Sequence, residues 1–422
     1  WMNGDIKLAT LSDTDDTDVT GSELVTNGTF DTDVSGWTVT SNGTFTHSSG
    51  SAILEQVTGS NASAYQSITT VVGKRYVASC DVTGVSSRIL IGTTSASGNV
   101  ALSGFLSATT ITVDFVATST TTFFSLQSAG TVSGQQTTVD NVSVRLAEED
   151  RSVNGNGLQV FGSITKDPVA SGADLVAYSY SSSSTSNYLM QPYNSDLAFG
   201  TGDFSVMFWT KAADYTPTGS GTSFLISLDA DLGAVTNKGA ISIASSTAND
   251  LRFQIYQQGY ASGGRIDCID TDAIPTNIWN CICAVRRSGV FEIWLNGKLK
   301  ATNADNVTSD VSNLNTDGWH ILSVNQQDVK MSLFRASATA PSPEQIAKIY
   351  EDEKVLFQDG AQATLYGSSD AVTALAHDDT TNLLHVGTSA GRSVFQGLRR
   401  VDNTTDAVGA AISASNGLVA ED

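Results

Sequence analysis

Between residues 22 and 147, apolar and polar positions alternate in short runs: Ser51–Val57, Tyr65–Val72, Arg75–Val82, Ser87–Gly92, Thr110–Val116, Thr122–Gln127 and Thr137–Leu146. A period of two sends successive side chains to opposite faces, so each run predicts a strand with one buried face. Clusters of Gly, Ser, Asn and Thr separate the runs, and Thr and Val supply strand propensity. Regular short strands with turn signals between them predict an antiparallel sandwich.

The pattern resumes over residues 148–341. In Gly202-Asp203-Phe204-Ser205-Val206-Met207-Phe208-Trp209, Phe204, Val206 and Phe208 share one face; Asp203, Ser205, Met207 and Trp209 share the other. Residues 279–297 read as a strand, a tight Ser288-Gly289 turn, a second strand and an Asn296-Gly297 turn. Over residues 342–358 the period changes. Ser342 is an N-cap, Pro343 occupies the first helical position, and Ile346, Ile349 and Tyr350 form an i, i+3, i+4 stripe. The spacing predicts one helix ending near Phe357. Residues 359–422 return to strands, at Ala371–Ala376, Leu383–Thr388 and Arg392–Phe395. The acidic run Ser12–Asp18 has no apolar period, so residues 1–21 read as a linker or the end of an upstream domain.

Composition narrows the function classes. Charged residues make up 15% of the 422, against roughly 25% in an average soluble protein, which disfavours helix bundles. Lys plus Arg is 22 and Asp plus Glu is 43, a net charge of −21. Such a surface repels phosphate backbones and anionic lipids, so neither nucleic acid nor a membrane is an expected partner. No run of about 18 apolar residues occurs, so membrane insertion is not expected. The start at Trp1-Met2-Asn3, with no charged-then-apolar leader, reads as a fragment of a longer polypeptide. Cys80, Cys268, Cys281 and Cys283 form no CxxC pair. Buried free thiols are expected, with a bridge from Cys268 to Cys281 or Cys283 left open, and synthesis in a reducing compartment.

Three local resemblances refine this reading. Glu23-Leu24-Val25-Thr26-Asn27-Gly28-Thr29-Phe30-Asp31 with Ser35-Gly36-Trp37, and the closing Val139-Asp140-Asn141-Val142-Ser143-Val144, resemble the two ends of jelly-roll carbohydrate-binding modules of families 4 and 9. The hairpin at residues 279–297, with Lys330–Arg335 as a return strand, resembles the concanavalin-like, laminin-G-like sandwich. Residues 371–395 resemble one blade of a β-propeller; a single blade cannot close a propeller. The expected fold is therefore all-β and multidomain. A linker (1–21) leads to a jelly roll (22–147), a concanavalin-like sandwich (148–341), a helix (342–358) and a propeller-like segment (359–422).

The first resemblance implies a structural calcium ion held by Asp31 and Asp140 near the strand ends, the alternative being plain turn and strand-edge residues. It also implies sugar stacking on aromatic rings. Trp37, Phe45, Tyr65, Tyr76 and Phe105 are candidates, and Tyr65, Trp37 and Phe105 form the expected set. Trp37 sits in the family motif, where it is usually core; Tyr65, between Ala64 and Gln66, is the better platform.

In the second domain the Glu-x-Asp-x-x-Glu strand of concanavalin-like glucanases is absent. Glu292 stands alone, Asp267, Asp270 and Asp272 read as a strand entering a turn, and Glu351, Asp352 and Glu353 as a solvated helix face. Asp229 and Asp231 suit an edge calcium or a polar loop, and Tyr178–Ser184 a binding loop or a plain surface loop. His47, His320, His377 and His385 make no catalytic pairing. No enzyme is expected.

The order of modules, with Asn187-Tyr188-Leu189, Phe199-Gly200-Thr201-Gly202-Asp203-Phe204 and Ile349-Tyr350-Glu351-Asp352-Glu353, resembles tail-fibre or other virion surface proteins of marine bacteriophages. That resemblance implies a virion protein made in the bacterial cytoplasm that binds host cell-surface glycans and other virion proteins. A homo-oligomer, in the manner of a trimeric fibre, is expected because avidity compensates shallow sites. The alternatives are a purely structural spacer or capsid decoration, and a secreted bacterial glycan-binding protein or accessory region of a glycan-degrading enzyme.

Overall fold

A computed structural model describes residues 5–179, 186–216, 223–228, 240–245, 249–256, 265–304, 311, 318–321, 328–369 and 371–405, with strand backbone at 412–415 and 418–421. The described chain is almost entirely β, with one α-helix. No helix among the described residues is long and apolar enough to cross a membrane.

The first sandwich stacks two five-stranded antiparallel layers. One layer runs Gly43–Ser48, Ser51–Gln56, Gln136–Glu148, Arg75–Gly84 and Thr109–Val116 in spatial order. The other runs Thr38–Val39, Ser63–Thr69, Thr121–Ser128, Ser87–Gly92 and Ala101–Leu102. The inward positions of both layers, among them Leu54, Ile68, Ile89, Ile111, Phe124 and Val144, form one core.

The second sandwich begins earlier than residue 148. Ile6–Thr10 is a strand paired with Lys330–Ser337, and Val19–Gly21 pairs with Leu158–Pro168. Leu8 and Leu11 are buried in the second core. Residues 1–21 are thus not a linker: over the described residues they supply two strands to a sandwich whose other strands lie beyond the jelly roll. The short Ile6-Lys7-Leu8 alternation, beside an acidic run and with its strand partner more than 300 residues away, carries too little local signal. The first sandwich is an insertion in the second. It returns through Gln136–Glu148, whose end pairs with Leu158–Pro168. Asp150 locks the return: its carboxylate accepts the Ala9 and Ser152 backbone N–H at 2.8 Å and that of Asn156 at 2.7 Å.

Phe204–Lys211 is central to the second sandwich, between Asn280–Arg287 and Lys330–Ser337. Its Phe204, Val206 and Phe208 enter the core between the layers, with Phe253, Phe291, Trp319 and Phe334. Its other face is buried too. Met207 and Trp209 lie with Cys281, Cys283 and Trp294 under the helix residues Ile346, Ile349 and Phe357. Ser288 and Gly289 (φ 50° and 76°) and Asn296 and Gly297 (φ 51° and 75°) make the two hairpin turns in the left-handed region that these sequences favour.

The helix spans Pro343–Glu353 and tightens into a 3-10 turn at Lys354–Phe357. Ser342 Oγ accepts the Gln345 N–H at 3.2 Å and Gln345 Oε1 accepts the Ser342 N–H at 2.7 Å, a closed capping box. Glu351 and Asp352 face outward and pair with Lys354 and Lys348. Glu353 does not share that solvated face. It is buried, bonded to Arg335 and to Trp209 Nε1 at 2.8 Å, because the helix turns its last residue toward the sheet. Asp267, Asp270 and Asp272 all lie within one strand, Arg265–Ala273, rather than entering a turn.

Beyond the helix, Val372–Asp378, Leu383–Thr388, Gly391–Gln396 and Arg399–Thr404 form a four-stranded antiparallel meander. It is strapped down through Asp174, whose Oδ2 accepts the Ala363 and Thr364 N–H groups.

Candidate functional site

Strand Ser63–Thr69 sends Ala64 and Ile68 into the first core and Tyr65, Ser67 and Thr69 outward. On the neighbouring strand Phe123 pairs with Ser67 and also faces out. The Tyr65 and Phe123 rings lie 6.3 Å apart at 60°, both half-buried at their bases. They line an open groove of about 520 Å³ with Thr26, Thr38, Ser67 and Thr69.

The groove's rim is held by an amide. Gln66 Oε1 accepts the Thr26 N–H at 2.7 Å, and its Nε2 donates to the carbonyls of Thr26 and Gly36 at 3.0 and 3.1 Å. Glu23 is the carboxylate in the lining, and its oxygens are engaged. Oε1 accepts N–H groups of Leu24, Val25 and Val144; Oε2 accepts Ser143 Oγ at 2.7 Å and faces Arg145 Nε at 3.1 Å. What remains for a ligand is two aromatic rings and a set of hydroxyls. That surface suits an uncharged ligand with C–H faces and hydroxyl edges.

Phe105 lies on the same outward side, 40% exposed. The Arg88 guanidinium sits 4.5 Å from its ring centroid and donates twice to Gln127 Oε1, at 3.0 and 2.7 Å. One face of Phe105 is therefore already covered by a cation.

The other aromatic candidates pack inward. Trp37 is ringed by Phe30, Phe45 and Phe124 at 5.6, 5.7 and 5.8 Å, and its Nε1 donates to the Asn27 carbonyl at 3.1 Å. Trp37, expected in the sugar-binding set, thus stands among core aromatics and outside the lining of the Tyr65–Phe123 groove. Tyr76 is buried against Phe115, with its hydroxyl accepting the Val71 N–H. Phe123 was missed because the doubled Thr121-Thr122-Phe123-Phe124 run does not alternate and so does not show which phenylalanine points out.

Asp31 and Asp140 come together, with Asp81 as a third carboxylate. Asp81 and Asp140 are paired across neighbouring strands. Burial pushes the Asp140 carboxyl up, and the nearby Asp81 and Asp31 charges push the same way. A cation would relieve that crowding. The chain folds this way because Gly28 abuts the carbonyl of Val142 so closely that a Cβ there would stand 2.0 Å from it. The Val142 N–H in turn donates to the Gly28 carbonyl at 2.9 Å. Among the described residues no group of three Asp, Glu, His or Cys side chains stands at metal-ligand spacing. A calcium ion here would draw on Asp31, Asp140 and main-chain carbonyls.

In the second sandwich Glu292 is spent on Arg287 at 2.9 Å and on Trp294 Nε1 at 2.7 Å. Asp272 pairs with Lys300 at 2.7 Å. Asp229 and Asp231 lie outside the described residues, as does most of the Tyr178–Ser184 loop. All four cysteines are free and buried. Cys268 belongs to the inner core and Cys281 and Cys283 to the layer under the helix, so the bridge left open is not made.

Comparison with known proteins bears on the second sandwich. The family described as the concanavalin A-like lectin/glucanases superfamily matches residues 183–347. The second sandwich is concanavalin-like. Among solved structures, the chain is similar to the binding domain of Paraclostridial Mosquitocidal Protein 1, at 14% identity and a TM-score of 0.40, covering 58% of this chain and 61% of that one. It is also similar to the binding domain of botulinum neurotoxin DC, solved in complex with rat synaptotagmin II, at 16% identity and a TM-score of 0.39, covering 59% of each chain. A third is domain 4 of AbnA, an extracellular arabinanase from Geobacillus stearothermophilus, in complex with arabinotriose. There the identity is 14% and the TM-score 0.36, covering 48% of this chain and 92% of that domain. No curated protein matches the chain.

Proposed function

We propose that this chain is a non-enzymatic, lectin-like component of a bacteriophage virion surface that binds neutral glycans of the host cell. The observation that carries the binding reading is the open groove in which Tyr65 and Phe123 stand outward among hydroxyls while Glu23 is fully bonded. Aromatic faces stack on pyranose C–H groups, and hydroxyls exchange hydrogen bonds with sugar hydroxyls. A non-catalytic role is supported by the engagement of Glu292 with Arg287 and Trp294, since a hydrolase needs its carboxylates at the scissile bond. The virion reading rests on the order of modules and on thiols buried as in a protein folded in a reducing compartment.

In this reading the chain assembles with copies of itself, as a trimeric fibre would, and with other virion proteins. Repetition of a shallow site then raises avidity without new contacts. A calcium ion bound by Asp31 and Asp140 staples the first and last segments of the jelly roll. Titration of the purified chain with host surface polysaccharides, with and without a calcium chelator, tests both points. Saturable binding supports the adhesin reading. A folded oligomer that binds no surface polysaccharide supports a structural spacer instead.

A further inference from the structure

At the junction of the two sandwiches a lysine is buried where the strand pattern calls for an apolar residue. Leu158–Pro168 turns Ile164 and Lys166 inward, and the Lys166 side chain is 2% exposed. Its Nζ lies 2.6 Å from Asp13 Oδ2 and 3.7 Å from Glu148 Oε2. Tyr178, directly opposite on the neighbouring strand, places its ring centroid 5.2 Å from Nζ and donates its hydroxyl to Glu148 Oε2 at 2.8 Å. The three reacting groups come from three separate parts of the chain, and Asp13 is 153 residues from Lys166. A surface ion pair needs none of this burial, and a buried one gains little over apolar packing.

We propose that Lys166 and Asp13 are joined by a self-formed amide bond, with Glu148 as the proton carrier. The 2.6 Å contact between Nζ and Oδ2 holds the lysine nitrogen beside the Asp13 carboxyl group, the proximity that joining requires. Asp13 Oδ1 accepts the Thr14 N–H at 2.7 Å and the Asp15 N–H at 3.3 Å. These two donors stabilise the oxyanion of the tetrahedral intermediate. The Val176 N–H donates to the Asp13 carbonyl at 3.1 Å and fixes its backbone.

The reaction balances without a co-reactant. The C–N bond forms, the Cγ–Oδ2 bond breaks, two of the three ammonium protons end on Oδ2, and water leaves. The third proton stays on the amide nitrogen. A desolvated lysine is the form that attacks. Burial pushes the Glu148 carboxyl up, so it holds a proton more readily than an ordinary carboxyl, as a carrier must. Burial also pushes Asp13 up, but Lys166 and the Thr14 and Asp15 N–H groups outweigh it and hold Asp13 as the carboxylate. For attack, the proton that Lys166 gives up passes through Glu148 to Asp13 Oδ2. A polar cavity of about 270 Å³, lined also by Lys74, Arg75 and Arg151, adjoins the group and lets the water out.

Such a bond closes a ring around the whole jelly-roll insertion and anchors the segment after Ile6–Thr10. Intact-mass measurement of the denatured, reduced full chain tests it. The expected mass is one water below that of the sequence, and digestion yields the Asp13 and Lys166 peptides as one joined species. Lys166→Ala and Asp13→Ala restore the full mass, and Glu148→Gln stops or strongly slows joining. A wild-type chain at its full sequence mass, with the two peptides separate, would overturn the bond. Undiminished joining in Glu148→Gln would overturn the part given to Glu148.

Discussion

Tyr65 and Trp37 show how aromatic rings take two roles in the same sandwich. Both are half-buried. Trp37 has core aromatics around its ring and its N–H on a main-chain carbonyl, whereas Tyr65 meets Phe123 across an open groove. Tyr65→Ala or Phe123→Ala should each weaken glycan binding about tenfold, the worth of about 1.4 kcal/mol of ring contact, and leave the melting temperature nearly unchanged. Trp37→Ala should do the reverse, costing about 3 kcal/mol of stability through the cavity it leaves. Calorimetric titration and thermal melts on the same samples separate the two.

The thiols make a second residue-scale test. Burial pushes Cys268 and Cys283 up to about 12, and Cys80 and Cys281 also upward. Native protein should therefore resist thiol reagents until unfolded; rapid labelling at neutral pH would contradict this burial.

At the scale of elements, the helix is a lid whose last residue closes it. Removing the Ser342 cap by Ser342→Ala should cost about 1 kcal/mol. Glu353→Ala should cost more, about 3–5 kcal/mol, because Arg335 is left buried without its partner. A denaturant series reads both; equal losses would mean that Arg335 finds water.

The strand ends around Asp140 carry a pH signature. Its folded pKa lies above the unfolded value, so ionising it opposes folding, and stability falls as pH rises from the usual carboxylate value through the raised one. Asp140→Asn should remove that fall and, if calcium is held there, also remove any calcium-dependent rise in melting temperature. A calcium effect unchanged in Asp140→Asn would place the ion elsewhere.

Period and turn chemistry made most of these elements legible. Ser87–Gly92 and Leu383–Thr388 coincide with the expected strands, and Ser342, Pro343 and Gln345 mark the helix start. Glu353 was not legible, since an acidic triplet looks solvated until the sheet beneath it is known to present Arg335. Nor was Phe123, whose outward face is decided by its partner Ser67.

At the scale of the molecule, the unreadable feature was connectivity. Alternation reveals a strand but not its neighbour, so Ile6–Thr10 passed for part of a linker although its partner is Lys330–Ser337. Leu8→Ala distinguishes the two: a core position costs about 3 kcal/mol, a linker position less than about 0.5. The acidic Asp13–Asp18 stretch likewise looked like solvated spacer, yet it supplies Asp13 to Lys166 and Asp18 to the Lys166 N–H.

Everything proposed for this chain turns on whether the Tyr65–Phe123 groove binds neutral host glycans. The most direct measurement is titration of the full chain, wild type and the Tyr65→Ala/Phe123→Ala double variant, with neutral polysaccharide extracted from host cells. The expected result is saturable binding by the wild type and its loss in a double variant that melts at the same temperature. Binding retained in the double variant, or absent from a folded wild type, would contradict it.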